Sequence, residues 1–382
     1  MNTKTIAYIS QADPFTDRRA WSGTNFKLRE GLENAGYHVK WIPYKVSKCK
    51  LFLLKVLIKL LFGKGALIDH NRFYFKLCAK SINLKLLDDC DYVFFPAGGQ
   101  IGAYLKTRKP IIYFSDATFK LMVDYYWKNQ SKYIIKEGLA NDYKAINRSF
   151  INIRSSKWAA DSVVNDYGAD PKHKFVLEFG ANIDEADIVT SALYDKIQCL
   201  TIMFSGVDWE RKGGDIAVET VRLLNEYGIK SKLIIAGIKK LPAKYEHLPY
   251  IEILGFLDKN IPKQYKLYIK AMSNAHVFLL PTKAECSAIV YCEASAFGLP
   301  IFSYDTGGVR NYVRNGVNGY ILPISAVAKD FANAIINCVE HNRLNDLHYG
   351  GIDLYKTTLN WNSWGKRFRE CIEIVENERT LY

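Results

Sequence analysis

Residues 281–300 read Pro281-Thr-Lys-Ala-Glu285-Cys-Ser287-Ala288-Ile289-Val-Tyr-Cys-Glu293-Ala-Ser-Ala-Phe297-Gly298-Leu299-Pro300. An apolar run, Ala275 to Leu280, leads into Pro281, and a loop of small residues carries Glu285. The pattern predicts a helix that opens near Ala288, holds Glu293 and is stopped by Gly298 and Pro300. Small residues at a helix N-terminus leave backbone N–H groups open to an anion, and the helix dipole favours negative charge there. Ser287, Ala288 and Ile289 form that seat. Glu293 stands about one turn inside, roughly 6 Å along the axis. A carboxylate accepts hydrogen bonds from hydroxyls and repels phosphate, so Glu285 and Glu293 flank the seat rather than fill it.

A second cationic seat lies upstream. The predicted strand Leu200–Ser205 runs into Gly206-Val-Asp-Trp-Glu-Arg211-Lys212-Gly-Gly, followed by an amphipathic helix through Ile216, Val221 and Leu224. Arg211 and Lys212 thus stand immediately before a Gly-initiated helix, where cations and backbone amides together suit an anion. The same pair also suits an ordinary solvated loop, and Trp209 reads as a packing residue.

The E-x7-E spacing resembles retaining glycosyltransferase family 4. So does its setting, with Pro281-Thr282 before it, then Phe297-Gly298-Leu299-Pro300 and Asp305-Thr306-Gly307-Gly308-Val309. The resemblance implies an α/β chain of the GT-B fold, two Rossmann-like doubly wound domains facing a central cleft. It gives Glu285 to the donor sugar, Glu293 to the ribose, and Arg211, Lys212 and Gly206 to the diphosphate. Phe256 and Leu257 become the wall against the base, and Gly23 a loop glycine facing donor or acceptor. On the residues alone, Gly23 is equally the neighbour of a helix cap. Three positions depart from the family pattern. Gly206-Val207 lacks an upstream Arg, Asn311 replaces a Glu, and Ser115-Asp116 stands where a His is common. Asp116 either binds sugar or acceptor hydroxyls or caps the following helix.

The implied reaction is retaining transfer of a sugar from a UDP- or GDP-sugar to a hydroxyl of a glycan or lipid-linked acceptor. Its setting would be cell-surface polysaccharide or glycoconjugate biosynthesis. No metal or other cofactor is expected, the nucleotide sugar being the donor substrate. The alternative is a non-catalytic GT-B-like partner that binds nucleotide sugar for another transferase.

The bulk properties fit two domains. A chain of 382 residues exceeds one comfortable core. Residues 1–184 are read as an acceptor-binding domain, with the helix 361–382 packing back on it, and 185–360 as the nucleotide-sugar domain. Gly180-Ala-Asn182-Ile-Asp184 resembles the family's hinge. The net charge of +13 calls for an anionic partner, and no nucleic-acid module accompanies it. Eight cysteines without a C-x-x-C pair exclude a zinc ribbon and suit a reducing cytosol.

Lys45–Lys64 is a basic, apolar stretch in which Lys48, Lys55 and Lys59 make one stripe of a helix. Its apolar runs are too short to span a bilayer. Two readings stand: peripheral contact with an anionic membrane, or a helix packing its apolar face on the core. The aromatic run Tyr125-Tyr126-Trp127 is expected to pack on a helix.

Overall fold

The computed structural model describes residues 3–62, 68–190, 194 and 197–380. The chain divides into two compact units, Met1–Leu177 with Trp364–Tyr382, and Glu178–Ser363.

The first unit holds β1 (Thr5–Ser10), β2 (His38–Pro43), β3 (Tyr92–Pro96), β4 (Ile111–Ser115), β5 (Ile151–Arg154) and β6 (Lys174–Val176). All pair parallel, in the order β2-β1-β3-β4-β5-β6. β3 and β4 are buried at every position, as strands covered on both faces must be. The C-terminal helix Trp361–Thr380 closes this core. Trp364 is fully buried and meets Phe114 edge-on, and Phe368 meets Tyr37 and Phe94.

The second unit holds β7 (Leu200–Ser205), β8 (Ser231–Ala236), β9 (Ile251–Gly255), β10 (Val277–Leu280), β11 (Ile301–Tyr304) and β12 (Gly319–Leu322). Their order is β12-β11-β10-β7-β8-β9, again all parallel. This is the doubly wound dinucleotide-binding order, whose direction reverses between β7 and β10. Ligands of such sheets bind outside the carboxyl ends of the strands at that reversal.

Several expectations need correction. The units divide at Leu177/Glu178 rather than near residue 185, and β6 stops at Val176. Residues 178–184 instead lie on the second unit, where the Phe179 N–H donates to Tyr312 Oη at 3.1 Å and the Asp184 N–H to Tyr265 Oη at 2.9 Å. Trp361 stays there too, its indole N–H donating to the Ala181 carbonyl at 3.0 Å, so the final helix joins the first unit only from Trp364. The expectation for Tyr125-Tyr126-Trp127 holds: the run lies in a turn and packs on the helices Phe119–Met122 and Lys157–Asn165. Trp127 packs on His70 and Phe119, and Tyr125 on Trp158.

The basic stretch does form a helix, Lys48–Phe62, and Gly63 and Lys64 lie outside the described residues. It does not bury most of its apolar side chains. Ile58 is buried, whereas Phe52, Leu53, Val56, Leu57, Leu60 and Leu61 are exposed. Among the described residues, no helix is long and apolar enough to cross a membrane.

Candidate active site

The loops after β7 and β10 meet at the reversal point of the second sheet. The Lys283 N–H donates to the Arg211 carbonyl at 2.8 Å, and the Gly308 N–H, beyond β11, to the Glu285 carbonyl at 3.1 Å. Backbone hydrogen bonds thus lace three loops into one rigid rim. Gly213 permits the approach. It is left-handed, at φ 74°, and a Cβ there would overlap the Pro281 carbonyl.

On this rim Lys212 Nζ forms an ion pair with Glu285 Oε2, both side chains being buried. Arg211 lies beside them, Nη1 standing 3.8 Å from Glu285 Oε2 and donating to the Ala284 carbonyl at 3.0 Å. Arg211 Nε also stands 3.5 Å from Asp208 Oδ2, so two cations and two carboxylates meet here. Gly206 lies against Lys212, whose Cγ would be 2.9 Å from a Cβ at that position. Val207, at the place of the missing upstream Arg, is exposed. Trp209 stacks over Gly214 and donates its indole N–H to Asp215 at 3.0 Å, a packing role.

The helix carrying Glu293 runs Ile289–Ala296, with Ala288 at its N-cap and no capping hydrogen bond from that side chain. Ser287 is buried, its hydroxyl donating to the Cys286 carbonyl at 2.6 Å. Glu293 is 1% exposed. It pairs with Lys259 through Oε1 and accepts from Tyr268 Oη at 2.6 Å through Oε2. Lys259 Nζ also donates to the Asn182 carbonyl at 3.2 Å and stands over the Tyr268 ring. Burial and the adjacent Glu293 charge push the Tyr268 hydroxyl far above its ordinary range, so it remains a donor. Phe256 and Leu257 open the loop that carries Lys259, with Phe256 exposed.

Lys259 and Tyr268 were not singled out by sequence reasoning. Lys259 is one lysine among many in a polar turn, and Tyr268 faces inward from the helix Pro262–Ser273. Their partner is 34 or 25 positions away. A buried carboxylate needs such partners, but nothing in the sequence says which residues they are.

Gly23 and Asp116 belong to the first unit. Gly23 occupies the N-cap of the helix Thr24–Asn34 at φ 90°, after Trp21 and Ser22, which are also left-handed at φ 51° and 57°. Asp116 follows β4 and is half-buried, but the cap position of the next helix, Phe119–Met122, belongs to Thr118. Asn311 donates to Glu178 Oε1 at 2.8 Å, which ties the segment after Leu177 to the second unit.

Residues 199–341 match the family model Glycosyl transferases group 1. The whole chain is similar to HepE of Anabaena, solved with UDP and glucose, at 14% identity and a TM-score of 0.63, covering 97% of this chain and 100% of that one. The fold is GT-B. Among curated proteins, the D-inositol 3-phosphate glycosyltransferase of Geodermatophilus obscurus is 25% identical over 194 residues, 46% of this chain and 42% of its own. The putative colanic acid biosynthesis glycosyltransferase WcaL of Salmonella typhimurium is 30% identical over 128 residues, 30% of each chain. The chain thus spans less than half the length of these curated relatives.

Proposed function

We propose that this GT-B chain is a retaining, metal-independent glycosyltransferase that moves a sugar from a UDP- or GDP-sugar to a hydroxyl of a glycan or lipid-linked acceptor. The setting we propose is polysaccharide or glycoconjugate biosynthesis at the cell surface. One observation carries the reading: at the reversal point of the second sheet, Arg211 and Lys212 converge on Glu285 beside the start of the helix that holds Glu293. HepE, solved with UDP and glucose, supports a uridine nucleotide. WcaL, described as acting in colanic acid biosynthesis, supports a polysaccharide product.

In this proposal the acceptor oxygen bonds to the anomeric carbon while the bond from that carbon to the diphosphate oxygen breaks. The acceptor proton passes to the departing oxygen on the same face, so the anomeric configuration is retained. Arg211, Lys212 and the helix amides take up the charge growing on the diphosphate, a preorganised electrostatic role. Glu285 orients sugar hydroxyls and Glu293 the ribose. Asp116 and Gly23 of the first unit serve sugar or acceptor. Peripheral attachment to the inner face of the cell membrane would suit a lipid-linked acceptor.

A thermal-shift panel of nucleoside diphosphates and nucleotide sugars tests this, since a ligand binding only the folded state raises its apparent stability. UDP or GDP is expected to stabilise the protein, with or without chelator, and the shift is expected to vanish in Arg211→Ala/Lys212→Ala. Slow hydrolysis of the bound nucleotide sugar, lost in Glu285→Ala, would separate an enzyme from a mere binder. No shift with any nucleotide would sink the proposal.

A further inference from the structure

The helix Lys48–Phe62 presents its apolar surface the wrong way round for a helix of a water-soluble core. At about 100° per residue, Leu51, Leu54 and Ile58 form a narrow face. Ile58 is 4% exposed and the other two are half-buried, so this is the face toward the protein. Phe52, Leu53, Val56, Leu57, Leu60 and Leu61 spread over about half the circumference on the other side, each 39–79% exposed. Lys55 and Lys59 are exposed along one border of that arc, and Lys50 lies near the other border. The segment holds four lysines and no acidic residue.

We infer that this helix is a docking surface for an anionic lipid bilayer, lying flat in the interface with its apolar arc among the acyl chains. Three observations select this occupant. The helix has 15 residues, about 22 Å, too short to cross a hydrocarbon core of ~30 Å. Its lysines border the apolar arc, where they reach anionic headgroups as the arc sinks about 5–10 Å. A second copy of the same face would set lysines against lysines with no carboxylate to offset them, a like-charge juxtaposition that opposes self-association. The inference does not depend on the proposed transfer reaction.

The test is co-sedimentation of the full chain with phosphatidylcholine vesicles, with and without phosphatidylglycerol. The protein is expected to pellet only with the anionic vesicles. Partitioning is expected to fall about fivefold for each of Lys50, Lys55 and Lys59 replaced by Ala. Leu57→Ser/Leu60→Ser, which keeps every charge, is expected to lose about tenfold or more. These side chains are exposed, so both variants are expected to melt at the wild-type temperature, which separates lost docking from lost folding.

A direct readout comes from Cys49, which is exposed and falls within the apolar arc, whereas six of the other seven cysteines are buried and Cys199 is intermediate. A polarity-sensitive dye on Cys49 is expected to shift to the blue with the anionic vesicles alone. Equal pelleting of wild type and Leu57→Ser/Leu60→Ser, or a dye that does not shift, would overturn the inference by reducing the binding to diffuse charge attraction. A lipid-free dimer dissolved by Leu57→Ser/Leu60→Ser would overturn it in favour of self-association.

Discussion

Lys259→Met offers a test of the candidate site that needs no substrate. Glu293 is 1% exposed and its two main partners are Lys259 and Tyr268. Replacing Lys259 by Met keeps the stem over the Tyr268 ring but leaves the carboxylate with one neutral donor. Removing one partner of a buried ion pair costs about 3–5 kcal/mol. Because the Lys259 side chain is 18% exposed, water softens the loss, and we expect about 3 kcal/mol. Glu293→Gln leaves an ammonium that still reaches water and the Asn182 carbonyl, so about 1 kcal/mol is expected.

The double variant Lys259→Met/Glu293→Gln has no orphan charge and should cost about 1 kcal/mol, which gives a coupling of about 3 kcal/mol between the two positions. Calorimetry reads this on the second unit, where ~3 kcal/mol corresponds to a fall of roughly 6–12 °C in melting temperature for about 150–250 residues. Two units need not unfold together, so the transition is assigned by its shift with nucleotide. Additive single effects, or a Lys259→Met protein that melts with the wild type, would refute the buried-pair reasoning.

Other outcomes follow from the same geometry. Gly206→Ala sets a methyl group 2.9 Å from the flexible Lys212 stem. It should fold normally yet lose nucleotide affinity, read by calorimetric titration. Gly213→Ala meets the Pro281 carbonyl at a left-handed position, so it should cost more than ~2 kcal/mol of stability in urea unfolding. Asp116→Ala should leave the nucleotide thermal shift intact while lowering transfer, since Asp116 belongs to the first unit and the cationic residues to the second. In the first unit, Arg72 holds the Glu137 carboxyl below its ordinary value, chiefly by hydrogen bonding. That stability is present above the unfolded carboxyl value near pH ~4.3 and is lost as pH falls through the lower folded value. Melting temperature should therefore fall more steeply below about pH 4.5 in the wild type than in Arg72→Ala.

The strands were legible because each is a short apolar run bounded by Gly, Pro or a polar loop, and parallel strands buried on both faces must read that way. The helix from Ile289 was legible for a different reason, its loop of small residues and its Gly298-Leu299-Pro300 stop. The boundary between units was misplaced because Phe175 to Phe179, broken only by Glu178, extends an apolar run past the end of β6. Only tertiary partners, Tyr312 for Phe179 and Tyr265 for Asp184, pull 178–184 onto the second unit. For Lys48–Phe62 the residues allowed two orientations, and composition could not choose. Which face meets the protein is set by the rest of the first unit.

The candidate site shows the same division within a few residues. Arg211, Lys212, Glu285 and Glu293 stand at loop and helix starts, where strand-turn-helix grammar marks them, and sheet order brings their loops together. What fixes their charges is not in that grammar. Glu285 is neutralised from the neighbouring loop by Lys212, and Glu293 from a third loop by Lys259. Each carboxylate buried without its lysine would be costly, so the sheet order that creates the crevice also requires these pairings. Each Glu is matched by a Lys, and Arg211 stands 3.5 Å from the exposed Asp208. A diphosphate entering this rim would therefore meet a surface whose acidic groups are already held by cations. On that reasoning Arg211→Ala alone, with Lys212 still bound to Glu285, should weaken nucleotide binding without destabilising the fold. Arg211 is the cation of the set whose removal leaves no buried carboxylate without a lysine.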